Sequence, residues 1–199
     1  MPLGSIPTKT GVNFSLVATN AEYIEILIFA NEYSTTPKSI FKLDDKHRTG
    51  DYWHAEIKGL TEGAIYAYRV LQKDNGINAD YSKKILIDPC SRGIVGWKNF
   101  QRKNATNCEG NVSSSLKSVV CSREKFNFKK FPRPKYSWED TIIYELHIKG
   151  FTNNLNSNED KQGDLNRILK KLPYLKDLGV TTIELLPIFS FDPSDSPNG

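Results

Sequence analysis

Two carboxylates sit inside otherwise apolar runs. Glu145 lies in Ile142-Ile143-Tyr144-Glu145-Leu146-His147-Ile148, and Glu184 lies in Val180-Thr181-Thr182-Ile183-Glu184-Leu185-Leu186. A pair of acidic side chains can divide the work of general acid and general base or nucleophile. His147 adds an imidazole, the side chain that most often serves as a general acid or base. The positions argue against catalysis. Both glutamates fall within their runs, whereas chemistry on parallel sheets gathers at the carboxyl ends of strands. His147 has no nucleophile at a motif spacing. An ion pair or hydrogen bonds are expected for each glutamate, and a packed position for the histidine. Cys90, Cys108 and Cys121 are odd in number and lack metal-ligand spacing, and His47, His54 and His147 are scattered. No metal, cofactor or disulfide framework is expected.

The elements that must position these residues form a strand–helix–strand unit. Residues 141–148 and 180–186 are short runs rich in β-branched residues, which read as strands buried on both faces. Between them Leu165, Ile168, Leu169, Leu172, Leu175 and Leu178 recur at helical spacing, with Lys170, Lys171, Lys176 and Asp177 on the other side. Pro173 is expected to kink this helix or split it in two. Gly179 is placed to end it and Pro187 to mark the exit of the second strand. Such a unit pairs its strands in parallel through a right-handed crossover. A closed (β/α)8 barrel needs about 250 residues and eight units, so this reads as the beginning of a barrel, truncated soon after its second strand.

The first half of the chain has a different period. Val12, Phe14 and Leu16, then Ile24, Ile26 and Ile28, then Tyr66, Tyr68 and Val70 each share one face of a run with period two. Turn signals separate the runs at Asn20-Ala21, Thr36-Pro37, Thr49-Gly50-Asp51 and Thr61-Glu62-Gly63. Short strands at this spacing predict an antiparallel, immunoglobulin-like β-sandwich over residues 1–89. Residues 90–137 have no sustained period and include Ser113-Ser114-Ser115 and Pro132-Arg133-Pro134, the marks of a long connector. Residues 138–199 are then the truncated α/β segment.

Composition narrows the class. Hydrophobic content of 38% with 25% charged residues fits a globular chain. The net charge of +4 is concentrated, since residues 98–137 carry ten basic side chains against Glu109 and Glu124, a local +8. That strip reads as a solvated connector; an anion-binding patch would need a nucleic-acid recognition motif that is missing. No run of 18 apolar residues is present, and residues 1–10 lack the pattern of a secretory signal. No membrane or nucleic-acid partner is expected, and a reducing, cytoplasmic location is.

The order of motifs resembles the amino-terminal part of isoamylase-type glycogen debranching enzymes of glycoside hydrolase family 13. Pro2-Leu3-Gly4 with Gly11-Val12-Asn13-Phe14-Ser15, then Gly50-Asp51-Tyr52-Trp53, Gly59-Leu60, Gly63 and Tyr66, and finally Asp88-Pro89 with Arg92, are similar to carbohydrate-binding module family 48. Tyr144-Glu145-Leu146-His147 followed by Lys149-Gly150-Phe151-Thr152 resembles the first barrel strand, and Leu172-Pro173-Tyr174-Leu175 through Glu184-Leu185-Leu186-Pro187 the first helix and second strand. The resemblance implies hydrolysis of α-1,6 branch linkages in glycogen-like glucans. It also implies that the catalytic carboxylates stand on the fourth, fifth and seventh barrel strands, so no catalytic residue is assigned within residues 1–199. Retaining glycosidases need two carboxyl groups about 5–5.5 Å apart.

Three residues are candidates for substrate contact. Trp53 is the best placed of Tyr52, Trp53, Tyr66 and Tyr68 to stack on a sugar ring, against the alternative that these aromatics are core. Phe151 and Asp192 follow the two strands at the end where barrel chemistry occurs. Three functions compete: part of a debranching α-1,6-glucosidase, inactive alone; a non-catalytic α-glucan-binding protein; and an anion-binding module built on residues 98–137. Glucan affinity indifferent to salt favours the second, and steep salt dependence the third.

Overall fold

The computed structural model describes residues 2–72, 82–122, 127–153, 165–189 and 191–192. The chain divides into two compact units, residues 1–125 and 126–199.

Unit one is built from antiparallel strands β1 (Gly4–Pro7), β2 (Gly11–Val17), β3 (Ala21–Phe29), β4 (Ser39–Leu43), β5 (Arg48–Thr49), β6 (Tyr52–Lys58), β7 (Ile65–Gln72), β8 (Gly93–Val95) and β9 (Lys117–Val119). One sheet has the order β1-β2-β6-β5 and the other β4-β3-β7-β9-β8. A five-residue helix, α1 (Arg102–Thr106), lies between β8 and β9. Alternation decides what faces inward. Val12, Phe14, Leu16, Trp53 and Ile57 from the first sheet pack with Ile24, Ile26, Ile28, Leu43, Tyr66 and Tyr68 from the second in one buried cluster. Phe14 and Tyr66 meet edge to face with ring centroids 4.9 Å apart, and Tyr66 and Tyr68 do so at 5.7 Å. Large aromatic rings of this kind supply much of a small core's apolar burial. A second cluster of Leu27, Phe29, Ala67 and Ile85 covers the outer face of β3 and β7.

Residues 90–137, expected as a connector, contribute two strands to this unit. β9 pairs with β7 through Ile65↔Val119 and Tyr66↔Ser118, and with β8 through Gly93↔Val119 and Val95↔Lys117. Each strand has three residues, too few for a period-two signal to emerge from sequence. The buried Lys117 disguised β9 further. Its ammonium donates to the carbonyls of Glu32 at 3.0 Å and Val112 at 3.2 Å and lies 5.0 Å from the Phe29 ring. Burial pushes its pKa down from the ordinary lysine value.

Unit two holds β10 (Ile143–Leu146), the short helix α2 (Ile148–Thr152), α3 (Leu165–Asp177) and β11 (Thr182–Leu185). β10 and β11 pair in parallel with the register Ile143↔Thr182, Tyr144↔Ile183, Glu145↔Glu184 and Leu146↔Leu185. Leu146, Ile168 and Leu175 form its buried centre, flanked by Tyr144, Ile148, Phe151, Val180 and Ile183. Full burial of a leucine or isoleucine contributes about 1.5–3 kcal/mol, so three such residues are a small core.

Two local expectations change here. The first strand ends at Leu146, because His147 turns the chain into α2 and caps it, its Nδ1 accepting from Gly150 N at 3.0 Å. Pro173 does not divide the helix, since α3 runs unbroken through it. A proline costs the helix one amide donor and crowds the preceding turn. Leu175, just beyond it, is 1% exposed and holds the last turn to the sheet. Gly179 has φ +91°, and its N–H donates to Lys176 O at 3.0 Å, closing the helix in the left-handed conformation.

Candidate functional site

The carboxyl ends of β10 and β11 are where a parallel sheet presents chemistry. Beyond β10, α2 sets Phe151 half-buried against Tyr144, with ring centroids 5.9 Å apart. Thr152 is buried; its hydroxyl donates to Ile148 O at 2.7 Å, and its carbonyl accepts from Arg167 of α3 at 3.1 Å. This clasp fixes the strand end. Asp192, beyond β11, is half-buried. Phe151 and Asp192 thus belong to the segments following the two paired strands.

Glu145 and Glu184 are direct register partners on adjacent strands. Tyr144, Leu146 and Ile183 pack toward α3, so alternation sends both glutamates to the opposite face. Both are exposed, and among the described residues neither has a hydrogen-bond or ion-pair partner. The structural pairing expected for each is absent there. Nor do they form a catalytic dyad, since neither has a neighbour that would make one carboxyl an acid and the other a nucleophile. His147 is exposed and caps α2, so it is not a packed histidine.

Trp53 is a core residue. It is 0% exposed, and its Nε1 donates to Ala18 O at 3.0 Å. Arg48 lies 5.3 Å from its ring, and Phe14, Leu16 and Ile57 share its cluster. No ring face is open to a sugar. β6 alternates in at Trp53 and out at Tyr52, so Tyr52 is the exposed member of the four candidate aromatics, at 47%. It stands opposite Val17 and Thr49. The alternation that buries its neighbour was the signal that could have named it.

Tyr66 and Tyr68 are buried around Asp88, which is 2% exposed. The Asp88 carboxylate accepts from Tyr66 Oη at 2.7 Å, from Tyr68 Oη at 3.5 Å and from Cys90 N at 2.7 Å, while its own amide donates to Ser118 Oγ at 2.8 Å. Burial, joined by the Asp88 charge, raises both phenol pKa values above the ordinary range. This knot ties β7, the exit segment and β9 together. Asp88-Pro89 therefore acts as a structural joint. Among the described residues no group of three or more His, Cys, Asp or Glu could hold a metal ion, and no helix is long and apolar enough to cross a membrane.

Residues 2–91 match carbohydrate-binding module 48 (Isoamylase N-terminal domain), and residues 150–198 match the alpha amylase catalytic domain. These two matches, in this order, are similar to the amino-terminal part of isoamylase-type enzymes of glycoside hydrolase family 13. It is 29% identical to isoamylase 1 of Arabidopsis thaliana over 199 residues, which cover 96% of this chain and 25% of the relative. It is also 29% identical to the glycogen debranching enzyme of Pectobacterium carotovorum, covering 94% of this chain and 29% of that enzyme. The chain therefore spans between a quarter and a third of these relatives' length and corresponds to their amino-terminal part. Among solved structures, the Group B Streptococcus pullulanase SAP shares its fold with a TM-score of 0.71 at 21% identity, over 96% of this chain and 24% of that one. The apo pullulanase of Paenibacillus barengoltzii does so with a TM-score of 0.68 at 18% identity, over 97% and 28%.

Proposed function

We propose that this chain serves a glycogen debranching α-1,6-glucosidase, contributing the sandwich module and the first strands of the catalytic barrel. The observation that carries the reading is the order of parts. A sandwich that matches the isoamylase amino-terminal module is followed in one chain by a parallel β10–α3–β11 unit, whose α3 and β11 lie in the segment, residues 150–198, that matches an amylase catalytic domain. The substrate class is an α-glucan of glycogen type. The sequence resemblance assigns the two reacting carboxyls to later barrel strands, so residues 1–199 by themselves position no catalytic pair. Phe151 and Asp192 are proposed for the rim of the substrate cleft, and Tyr52 replaces Trp53 as the aromatic through which the sandwich would meet sugar. Three free thiols, Cys90, Cys108 and Cys121, support a reducing compartment such as the cytoplasm.

The test is glycogen itself. Electrophoresis through a glycogen-containing gel should retard the 1–199 polypeptide, with little effect of added salt, while reducing-end release stays at the blank. Hydrolysis by this polypeptide would overturn the assignment of the carboxyls. Retention that collapses with salt would favour anion binding by the basic strip over sugar recognition.

A further inference from the structure

We propose that the outer face of the β1-β2-β6-β5 sheet is an extended saccharide site, in which His54, Asn13 and Glu56 hydrogen-bond the hydroxyls of glucose units next to one stacked on Tyr52. This rests on the functional reading above, in which the sandwich meets an α-glucan through Tyr52, and adds the polar groups that orient the chain.

Alternation assembles the face. Val12, Phe14 and Leu16 of β2 and Trp53 and Ile57 of β6 point into the core, so Asn13, Ser15 and Val17 share the other face with Tyr52, His54 and Glu56. The register sets them in three cross-strand pairs, Val17 with Tyr52, Ser15 with His54 and Asn13 with Glu56. From Tyr52 to Glu56 the strand rises about 13 Å, more than a single sugar ring needs. Val17, 48% exposed beside Tyr52, makes that end apolar.

The polar end is held in place and not used up. His54 Nε2 meets Thr49 Oγ1 at 3.0 Å, which fixes the ring; among the described residues its Nδ1 has no partner. Glu56 Oε1 accepts from Thr10 Oγ1 at 2.5 Å and from Thr8 Oγ1 at 2.6 Å. These two bonds hold its carboxyl below the usual carboxylate range, and among the described residues Oε2 is open. Asn13 is half-buried, and its amide has no partner among the same residues. Ser15 is fully buried opposite His54, and its Oγ makes no hydrogen bond. Buried hydroxyls are rarely left so in native folds, and here the protein leaves hydrogen-bonding capacity unspent along one line.

The same groups choose the ligand. An imidazole nitrogen, an amide and a carboxylate together serve partners that both donate and accept, as sugar hydroxyls do. The exposed ring at the other end takes the apolar face of a pyranose. No lysine or arginine stands among the six residues, so a phosphate-bearing polymer has no counter-charge here. Polar groups already fixed by Thr8, Thr10 and Thr49 lower the ordering cost of binding.

The experiment is affinity electrophoresis of the 1–199 polypeptide in glycogen gels, with maltoheptaose as competitor. His54→Ala and Asn13→Ala should each weaken retention about threefold or more, the loss of one or two hydrogen bonds, with the circular dichroism unchanged. Tyr52→Phe should keep retention and Tyr52→Ala should lose it. Added maltoheptaose should shift the His54 imidazole signals in nuclear magnetic resonance and leave those of His47 in place. Retention indifferent to both His54→Ala and Asn13→Ala, or an unmoved His54 imidazole, overturns the proposal and leaves Tyr52 as the sugar contact. Retention lost in Tyr33→Ala, an exposed aromatic outside this face, but kept in His54→Ala also overturns it. A parent chain that glycogen does not retain overturns both the site and the role of Tyr52, while the debranching reading, which rests on the order of parts, stands.

Discussion

Replacing Asp88 by alanine should be the most damaging polar substitution in the sandwich. The carboxylate is 2% exposed and accepts two short hydrogen bonds, from Tyr66 Oη and Cys90 N, both at 2.7 Å. Tyr68 Oη at 3.5 Å is at the limit of a hydrogen bond and contributes little. Alanine removes the strongest acceptor of the buried Tyr66 hydroxyl, leaving it only the Ser5 and Ser91 side chains, and strands the Cys90 amide at the core's margin. An orphaned buried donor costs about 1–3 kcal/mol, so the expected loss is about 2–5 kcal/mol. Tyr66→Phe removes one donor and leaves the carboxylate its amide, which predicts a smaller loss of about 1–2 kcal/mol. The two substitutions break one shared bond, so the double variant should lose less than their sum. Urea unfolding followed by the near-ultraviolet circular dichroism of the aromatic core gives the measurement. With a slope of about 1–3 kcal/mol per molar urea, Asp88→Ala should lower the midpoint by roughly 1–3 M. A midpoint within about 0.3 M of the parent, or strict additivity with Tyr66→Phe, would refute the buried knot as a stabilising joint.

Other outcomes follow from the same coordinates. Tyr66 and Tyr68 hold their protons in the fold more tightly than in the unfolded chain; unfolding then releases protons above about pH 10, and stability should fall as pH rises past that value. Melting temperatures that stay level from about pH 9.5 to 11 would contradict it, unless Lys117→Met uncovers the fall, because the lowered lysine pKa acts with opposite sign up to about pH 10.5, inside that range. Trp53→Ala should cost about 3–5 kcal/mol as a core truncation, while Tyr52→Ala should stay within about 0.5 kcal/mol of the parent and reduce retention on glycogen; retention lost in Trp53→Phe but kept in Tyr52→Ala would reverse their roles. Gly11→Ala should prevent β2 from pairing with β6, because a Cβ there would lie 2.1 Å from the Ile57 carbonyl oxygen; a fully native dichroism spectrum would disprove the close approach. Trypsin should cut first at Lys129, Lys130, Arg133 or Lys135, all exposed, leaving a resistant piece near residues 1–125. Cleavage that begins inside β2 or β3 would sink that expectation.

The alternations at Val12-Phe14-Leu16, Ile24-Ile26-Ile28 and Tyr66-Tyr68 placed three strands and their inward faces, because one buried face imposes a period that side-chain chemistry records directly. The parallel unit was legible for a similar reason. An amphipathic helix between two β-branched runs has few other ways to bury its apolar stripe, and β10, α3 and β11 fall within the expected spans. The isoamylase-type motifs likewise needed no coordinates.

Tertiary structure decided what local pattern leaves open. β8 and β9 are three residues each; β9 reaches β7 across more than fifty residues of chain and β8 joins the sheet only through β9, so residues 93–95 and 117–119 carried no readable sign of the sheet they join. Trp53 and Tyr52 are adjacent aromatics with the same capacity to stack on a sugar. Only the register with Leu16 and Val17 sends the first into the core and the second to water. Glu145 and Glu184 are 39 residues apart, and the crossover alone brings them opposite one another. Sequence determined the kinds of element and carried the isoamylase-type motifs. Which side chains became neighbours, and which stayed exposed, was set by register and long-range packing, where the energy depends on pairs of residues and no single position records it.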